Sequence, residues 1–274
     1  MPSINSGSVE IHYEDTGGDG RPVVLVHGWP LSGASWSGQV PALTAAGHRV
    51  ITYDRRGFGQ SGKPGADSAY DYDTLTTDLD AVLTELDLHD VSLVGFSMGG
   101  GEVARYVGTY GEGRVHSAVL AAAVPPCLLK DDAHPDGALT LDDIAGMQEQ
   151  LRADPEAFYG AFLTNFFSAG DDLKVTEEQR QEALGLAAQA DLHASAECIR
   201  SWVSDFTGDL AKVTVPLLVI HGDSDAIVPF EVSGERSAQA VANSELVVVA
   251  DAPHGLNVSH AAEFNRVLLE FLAH

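Results

Sequence analysis

The chain has 274 residues, with 40 Asp and Glu against 15 Lys and Arg, and a formal net charge of −25. This length and an apolar fraction of 45% suffice for one large folded domain and exclude a disordered chain. The negative charge argues against binding to nucleic acid or anionic membranes. Two cysteines, Cys127 and Cys198, are too few for a disulfide scaffold or a four-cysteine zinc site.

The charged residues are biased in type, with 24 Asp against 16 Glu and 4 Lys against 11 Arg. An Asp-rich, Lys-poor surface stays hydrated when salt screens its charges, which is typical of a salt-rich cytoplasm. An ordinary acidic cytosolic protein from a GC-rich genome would show the same bias, and both interpretations stay open. The first residues lack a basic start and an apolar stretch, and no segment has the ~18 apolar residues that span a membrane. We therefore expect a cytoplasmic location.

The first half of the chain alternates between strand and helix patterns. Strands are predicted at Val9–Glu14, Val23–Val26, Arg49–Tyr53, Val91–Phe96 and Val115–Val124, and helices near Ser35–Ala46, Asp73–Leu86 and Met98–Tyr110. The β-branched run Val23–Val26 is typical of a strand buried on both faces. Such alternation predicts an α/β fold, with a mostly parallel, twisted sheet flanked by helices.

The alternation stops between Pro125 and about Asp209. Four helices with no strand between them are predicted there, near Leu141–Ala153, Pro155–Phe167, Glu177–Ala190 and Ala194–Phe206. A strand at Val215–His221, a helix near Val232–Val241, a strand at Leu246–Ala250 and a helix near Ala261–Leu272 follow. We therefore predict a core made of residues 1–124 and 210–274, with residues 125–209 inserted as a helical cap.

The strongest local motif is Gly95-Phe96-Ser97-Met98-Gly99, which lies between a predicted strand and a predicted helix. This context is that of a nucleophile elbow, in which small residues permit a tight turn and expose the serine hydroxyl above the sheet. The N-terminus of the following helix favours a developing negative charge. We predict that Ser97 is a nucleophile; the alternative is a glycine-rich turn with an incidental serine.

A serine nucleophile needs a base and an acidic group that orients this base. In parallel sheets such groups lie in loops after the carboxyl ends of strands, where the chain offers Asp223, Asp225, Asp251 and His254. The order Ser97, Asp225, His254 predicts His254 as the base and Asp225 as its partner. Asp223 lies closer to its strand and is the alternative, more suited to bracing its turn. Asp251 is interpreted as a solvated turn residue.

Two backbone N–H groups are expected to bind the oxyanion of an acyl-transfer intermediate. One is that of Met98, directly after the nucleophile, and the other is that of Trp29, in the loop after the strand Val23–Val26. Pro30 follows and cannot donate, because it has no N–H. The Trp29 side chain is also a candidate wall of the substrate pocket, with simple core packing as the alternative.

Aromatic residues of the predicted cap are further pocket candidates. Phe158, Phe162 and Phe166 recur every four residues, so they share a helix face that either packs on the core or lines the pocket. The other histidines, including His27 and His221 at strand ends, are interpreted as structural. No histidine pair has a metal-ligand spacing supported by carboxylates or thiols, so we predict no metal site.

Several segments together resemble one family. They are His27–Ser32, Tyr53–Gly59, Val94–Tyr106, His221–Asp225 and Ala252–Leu256, and the likeness runs from near residue 10 to the C-terminus. The chain resembles the α/β-hydrolase superfamily, and within it the cofactor-free (non-haem) haloperoxidase, arylesterase and γ-lactamase group. Trp29 departs from the pattern, because many haloperoxidase-like members carry Phe or Tyr there. This departure leaves the pocket size open.

The resemblance implies a serine esterase whose acyl-enzyme reacts with water or with hydrogen peroxide. Peroxide would give a peracid that oxidises bromide or chloride without haem, metal or flavin, and Pro30 resembles the perhydrolase-leaning members. The partners implied are a small-molecule ester or carboxylic acid and hydrogen peroxide, with no cofactor. The choice between a monomer and a homo-oligomer stays open.

The residue types at the elbow bear on other functions of the same fold. Ser97 argues against an epoxide hydrolase or a haloalkane dehalogenase, which would need Asp at the elbow. A lactamase or a C–C bond hydrolase would keep the same triad, and both stay open. A non-catalytic ligand receptor of this fold also stays open, because an intact triad does not exclude it.

Overall fold

The computed structural model describes residues 2–65 and 67–274 and has an eight-stranded sheet at its centre. The strands of the described residues are β1 (Ser3–Ser6), β2 (Val9–Asp15), β3 (Pro22–Val26), β4 (Arg49–Tyr53), β5 (Val91–Phe96), β6 (Val115–Ala121), β7 (Ser168–Ala169), β8 (Asp172–Leu173), β9 (Leu217–Gly222) and β10 (Ser244–Val249). The order in the sheet is β1-β2-β4-β3-β5-β6-β9-β10, and β7 pairs with β8 separately. Of the eight strands in this sheet, β2 alone runs opposite to the others, so the sheet is mostly parallel, as predicted.

Helices flank this sheet. They are α1 (Val40–Ala45), α2 (Tyr72–Glu85), α3 (Met98–Tyr110), α4 (Leu141–Ala153), α5 (Pro155–Phe166), α6 (Glu177–Ala187), α7 (Leu192–Ser201), α8 (Thr207–Leu210), α9 (Gly234–Ala240), α10 (Leu256–Ser259) and α11 (Ala261–Leu272), with 3-10 turns at Gly33–Trp36 and Asp67–Tyr70. In the part of the chain that the structure describes, no helix is long and apolar enough to cross a membrane.

The centre of the core is formed by the parallel strands. All residues of β5 and β9 are buried, and the run Val23–Val26 in β3 is inaccessible to solvent. Strands covered by helices on both faces need apolar side chains on both faces, which explains their continuous β-branched sequences. Because β3, β5, β9 and β10 all run in the same direction, their carboxyl ends lie along one edge of the sheet, where the loops that follow them meet.

The structure differs from the predicted elements in several places. The predicted helix near Ser35–Ala46 is a 3-10 turn followed by a short α1, because Pro41 favours a new helix start. Strand β1 and the short helix α10 were not predicted. The expectation of no strand in the cap is wrong, because β7 and β8 form a two-residue hairpin pair between α5 and α6.

The segment between β6 and β9 carries α4 to α7, as the sequence pattern indicates. Its aromatic residues face the loop after β3, where the Trp29 ring lies 4.8 Å from Phe162 and 5.0 Å from Trp202, between ring centroids. This segment therefore covers the loop edge of the sheet. We retain residues 125–209 as the proposed cap and residues 1–124 and 210–274 as the proposed core.

Candidate active site

Ser97 lies in the sharp turn between β5 and α3. Its backbone has φ 54° and ψ −120°, a left-handed conformation that residues with a side chain rarely adopt. The turn also brings its flanking glycines against backbone. A Cβ at Gly95 would lie 2.5 Å from the carbonyl oxygen of Gly99, and a Cβ at Gly99 would overlap the carbonyl oxygen of Val26. Both positions therefore require glycine, which is the geometry of a nucleophile elbow.

A continuous hydrogen-bonded chain joins Ser97, His254 and Asp225. The His254 Nε2 lies 2.9 Å from the Ser97 Oγ, and the His254 Nδ1 lies 2.7 Å from the Asp225 Oδ2. All three side chains are buried. Because an ionised Asp225 only accepts, it fixes the proton of neutral His254 on Nδ1 and leaves Nε2 free to accept from Ser97. The arrangement can remove the serine proton.

The charge of Asp225 is maintained by several donors. Burial alone would raise its pKa, but attraction to His254 and hydrogen bonds from His221 and His254 together hold the pKa of Asp225 below its ordinary value. The backbone N–H groups of Ile227 and Val228 also donate to its Oδ1, at 2.9 and 2.8 Å. The carboxylate is thus ionised and held in one orientation.

His221, interpreted from the sequence as a structural residue at a strand end, is part of this site. Its Nε2 lies 2.8 Å from the carbonyl oxygen of Val228 and 3.2 Å from the Asp225 Oδ2. It therefore donates to the loop that holds Asp225 and to the carboxylate itself. Its position near the end of β9, four residues before Asp225, does not by itself show which way the imidazole points.

The other two carboxylates lie elsewhere. Asp223 is exposed, and its Oδ1 accepts from the backbone N–H of Asp251 at 2.7 Å and from the Ser224 hydroxyl at 3.0 Å. Asp251 is also exposed and forms an ion pair with Lys174 at 2.7 Å. Asp223 thus braces the two loops against each other, and the structure brings Asp225 rather than Asp223 to His254.

The backbone N–H groups of Trp29 and Met98 remain the candidate oxyanion donors, since Trp29 shares a cavity wall with Ser97 and Met98 directly follows it. Met98 is the first residue of α3, so its N–H has no partner within the helix. Gly28 packs directly against the elbow, where a Cβ would lie 3.1 Å from the Ser97 Cβ. Within residues 2–65 and 67–274, neither N–H donates to another group. The geometry suits an oxyanion hole.

A buried network of Arg55, Glu102 and His27 supports the loop that contains Trp29. The Arg55 guanidinium donates to Glu102 Oε1 through Nε at 2.6 Å and to the carbonyl oxygen of His27 at 2.6 Å. The backbone N–H of Arg55 donates to His27 Nε2, so His27 carries its proton on Nδ1 and donates to the carbonyl of Gly28. Burial and the nearby Arg55 charge lower the pKa of His27 well below its ordinary value. The loop therefore rests on a neutral histidine.

A cavity of about 220 Å³ opens onto Ser97. It is lined by Trp29, Val124, Leu128, Leu139, Met147, Phe162, Asn165, Trp202, Ala226, Ile227 and Val228 in addition to Ser97. The walls are mostly apolar, which suits a small acyl group. The cap residues Leu128, Leu139, Met147 and Trp202 were missed from the sequence, because their approach to Ser97 depends on how the cap packs.

The three cap phenylalanines have different positions. Phe162 lines the cavity, together with Trp29. Phe158 is not in the cavity wall; its ring packs edge-on against Trp29 at 6.2 Å and faces a separate groove on the cap. Phe166 packs edge-on against the His254 ring at 4.8 Å. On this helix face, Phe162 therefore lines the pocket, whereas Phe158 and Phe166 pack against Trp29 and His254.

Comparisons with known proteins agree with this architecture. A model of the alpha/beta hydrolase fold family matches residues 21–261. The chain is 44% identical over 269 residues to the non-heme chloroperoxidase CPO-A1 of Kitasatospora aureofaciens, and 36% identical over 270 residues to the bifunctional esterase/perhydrolase DCH of Acinetobacter calcoaceticus, with 96% of each chain covered in both cases. The crystal structure of bromoperoxidase from Bacillus anthracis matches with a TM-score of 0.96 and 49% identity, over 100% of this chain and 99% of that chain. The resemblance inferred from the motifs is confirmed.

Proposed function

Because the chain belongs to the α/β-hydrolase fold family, we propose that it is a serine esterase that also transfers its acyl group to hydrogen peroxide. The observation that carries this proposal is the hydrogen-bonded chain from Asp225 through His254 to Ser97, which ends at an apolar cavity. The names of the relatives, a chloroperoxidase and an esterase/perhydrolase, support both halves of the activity.

The first half-reaction forms an acyl-enzyme. The Ser97 Oγ attacks the ester carbonyl while His254 Nε2 takes its proton, and Asp225 stabilises the resulting imidazolium. The N–H groups of Trp29 and Met98 bind the oxyanion of the tetrahedral intermediate. His254 then gives the proton to the leaving alcohol, and the acyl group stays on Ser97.

The second half-reaction depends on the acceptor. His254 removes a proton from water, and attack on the acyl group releases the carboxylic acid. Hydrogen peroxide in the same place releases a peracid. The peracid can leave the site and oxidise a halide ion, giving the carboxylic acid and a hypohalous acid after uptake of one proton. The halide is consumed outside the cavity, so this route needs no halide site.

The surroundings of Ser97 limit the substrate. A cavity of about 220 Å³ with walls that include Trp29, Phe162 and Trp202 suits esters with a short acyl chain. The net charge of −25 disfavours the approach of anionic substrates. We therefore propose small neutral esters as substrates. We also propose a cytoplasmic location for the enzyme.

The test compares both activities in one purified sample. Hydrolysis of p-nitrophenyl acetate measures the esterase, and bromination of monochlorodimedone in the presence of acetate, bromide and peroxide measures the perhydrolase. We expect Ser97→Ala to lower both by at least about a thousandfold, because both need the acyl-enzyme. Ser92→Ala is the matched control: Ser92 is also a buried serine of β5, and its hydroxyl is hydrogen-bonded to that of Ser117.

Two results would overturn the proposal. A folded wild-type protein that transfers no acyl group from any activated ester would favour a ligand receptor on this fold. Bromination that continues in Ser97→Ala, or without a carboxylic acid or ester, would exclude the acyl-enzyme as the source of the oxidant.

A further inference from the structure

A second group of reactive side chains lies near the base of the cap, outside the triad. Cys127, His134 and Asp205 each offer one ligand atom, and these three atoms lie within 4.8 Å of one another. Cys127 is 1% exposed, whereas the side chains of His134 and Asp205 are 26% and 50% exposed. The group therefore has a buried sulfur at its inner end and is open to solvent at its outer end.

The imidazole of this group is held in the orientation that metal-binding histidines adopt. His134 Nδ1 lies 2.9 Å from Asp131 Oδ1, and the same oxygen accepts from the backbone N–H groups of Ala133 and His134. A carboxylate bound to Nδ1 fixes the proton there and leaves the lone pair of Nε2 for a cation. Asp131 thus acts as the orienting partner.

The second imidazole nitrogen of His134 and a carboxylate oxygen of Asp205 lie near each other without a hydrogen bond. His134 Nε2 lies 3.7 Å from Asp205 Oδ2, which is too long for a hydrogen bond. Two ligand atoms at about 2.1 Å from one tetrahedral zinc ion are about 3.4 Å apart, so a cation fits between them. The other oxygen of Asp205 accepts from the backbone N–H of Thr207 at 2.8 Å, which fixes the carboxylate.

The group joins two segments that are distant in the sequence. Cys127 and His134 belong to the outgoing segment (residues 122–140), which follows β6, and Asp205 belongs to the return segment (residues 202–206), which precedes α8. A backbone hydrogen bond of 2.8 Å from Phe206 to Pro126 already holds the two segments together beside the group. The three ligands are therefore brought together by the fold, which explains why no sequence spacing indicated them.

We propose that Cys127, His134 and Asp205 form a binding site for Zn²⁺ or a similar thiophilic divalent cation, with water completing the coordination. A set of one thiolate, one imidazole and one carboxylate matches the ligand preferences of zinc. The cation would link the outgoing and return segments across the base of the cap. Leu128, next to Cys127, lines the cavity at Ser97, so the bound ion would stiffen one wall of the proposed substrate pocket.

Binding is tested on the full chain, without reference to activity. Zn²⁺ is titrated calorimetrically into chelator-free protein in 0.5 M NaCl, which screens the exposed carboxylates. Co²⁺ is added separately as a spectroscopic probe. We expect one equivalent of Zn²⁺ to bind and raise the Tm, and Co²⁺ to give the near-ultraviolet charge-transfer band of a thiolate ligand.

Three variants and one control assign the site. We expect Cys127→Ser, His134→Ala and Asp205→Asn each to weaken Zn²⁺ binding at least tenfold, and Cys127→Ser to abolish the charge-transfer band. Cys198→Ser is the matched control, because Cys198 is the other buried free cysteine and does not belong to the group around His134; it should bind like the wild type. Asp205→Asn keeps the acceptor for Thr207, so it tests the site even if the other variants fold poorly.

The proposal fails if millimolar Zn²⁺ neither binds nor raises the Tm of the wild-type protein. It also fails if binding is unchanged in the three variants, since surface carboxylates alone would then hold the ion. The influence on the substrate pocket rests on the proposed function and is measured separately, as the ester hydrolysis rate with and without Zn²⁺. A protein that binds Zn²⁺ but hydrolyses no ester would refute the proposed function and leave the metal site standing.

Discussion

Both carboxylate oxygens of Asp225 accept hydrogen bonds within the site. Its Oδ1 is bonded by two backbone N–H groups, and its Oδ2 faces both His254 and His221. Asp223, two residues earlier, is used to join two loops at the surface. Two carboxylates that are almost adjacent in the sequence thus have different tasks, decided by which one points inward.

Replacing each aspartate by asparagine separates these tasks. The amide of Asp225→Asn can donate to His254 Nδ1, which favours the tautomer with the proton on Nε2, and this tautomer cannot accept from Ser97. We expect kcat/KM for p-nitrophenyl acetate to fall by about a thousandfold or more. Asp223→Asn should keep activity within about threefold and lower the free energy of unfolding by about 1 kcal/mol at most. Loss of activity in Asp223→Asn alone would reverse the assignment.

Local sequence patterns indicate some residues of the candidate site and not others. Ser97, Asp225 and His254 were found because the elbow motif and the order of the loops are local features of the chain. His221 was not found, since a histidine at a strand end has the same local signal whether it points at solvent or at a carboxylate. The lining residue Trp202 was not found either, because its distance to Trp29 is fixed by packing between separate helices.

At the scale of secondary-structure elements, the sequence predicted those with a strong periodic signal. The β-branched strands and the long amphipathic helices agree with the structure to within a few residues. Strand β1 (Ser3–Ser6) has a single β-branched residue, Ile4, and forms because it pairs with β2. The β7–β8 hairpin has two residues in each strand, which is too short for any periodicity.

A buried ion pair connects helix α3 to the loop after β3. Glu102, in α3, is buried and binds Arg55, and it also accepts from the Tyr53 hydroxyl at 2.8 Å. Arg55 in turn holds the carbonyl oxygen of His27, which precedes the proposed oxyanion loop. Helix α3 thereby supports the proposed oxyanion loop through the Arg55–Glu102 ion pair.

We expect Glu102→Gln to lower the free energy of unfolding by about 3–5 kcal/mol, because the Arg55 charge would stay buried without its partner. Urea denaturation measures this change. The control is Glu270→Gln, which removes the exposed partner of Arg266 and should cost about 1 kcal/mol or less. Similar losses in both variants would show that the buried pair has no special role in stability.

For the molecule as a whole, the excess of acid is a property of the surface. The buried ion pairs Arg55–Glu102 and Arg56–Asp78 balance their own charges, so they add nothing to the net charge of −25. Most of the uncompensated carboxylates face solvent and repel one another. The folded state brings these charges closer together than the unfolded chain does.

Salt should therefore stabilise this protein. The screening length falls from about 30 Å at 0.01 M salt to about 3 Å at 1 M, which weakens repulsion between exposed carboxylates more than attraction within buried pairs. We expect the Tm to rise between 0.01 and 1 M NaCl and ester hydrolysis to persist at 1 M. A neutral osmolyte at equal osmolality is the control for solute exclusion. A Tm that falls steadily with NaCl would show that attractive surface pairs dominate.

The left-handed backbone of Ser97 has a consequence for how this protein can be improved. Glycine adopts that conformation without steric conflict, whereas serine there costs about 1–3 kcal/mol. Stability and the proposed activity thus favour different residues at position 97, glycine for the first and serine for the second. Efforts to make the enzyme more robust should accept this trade-off at the elbow and seek their gains in the loops and surface far from it.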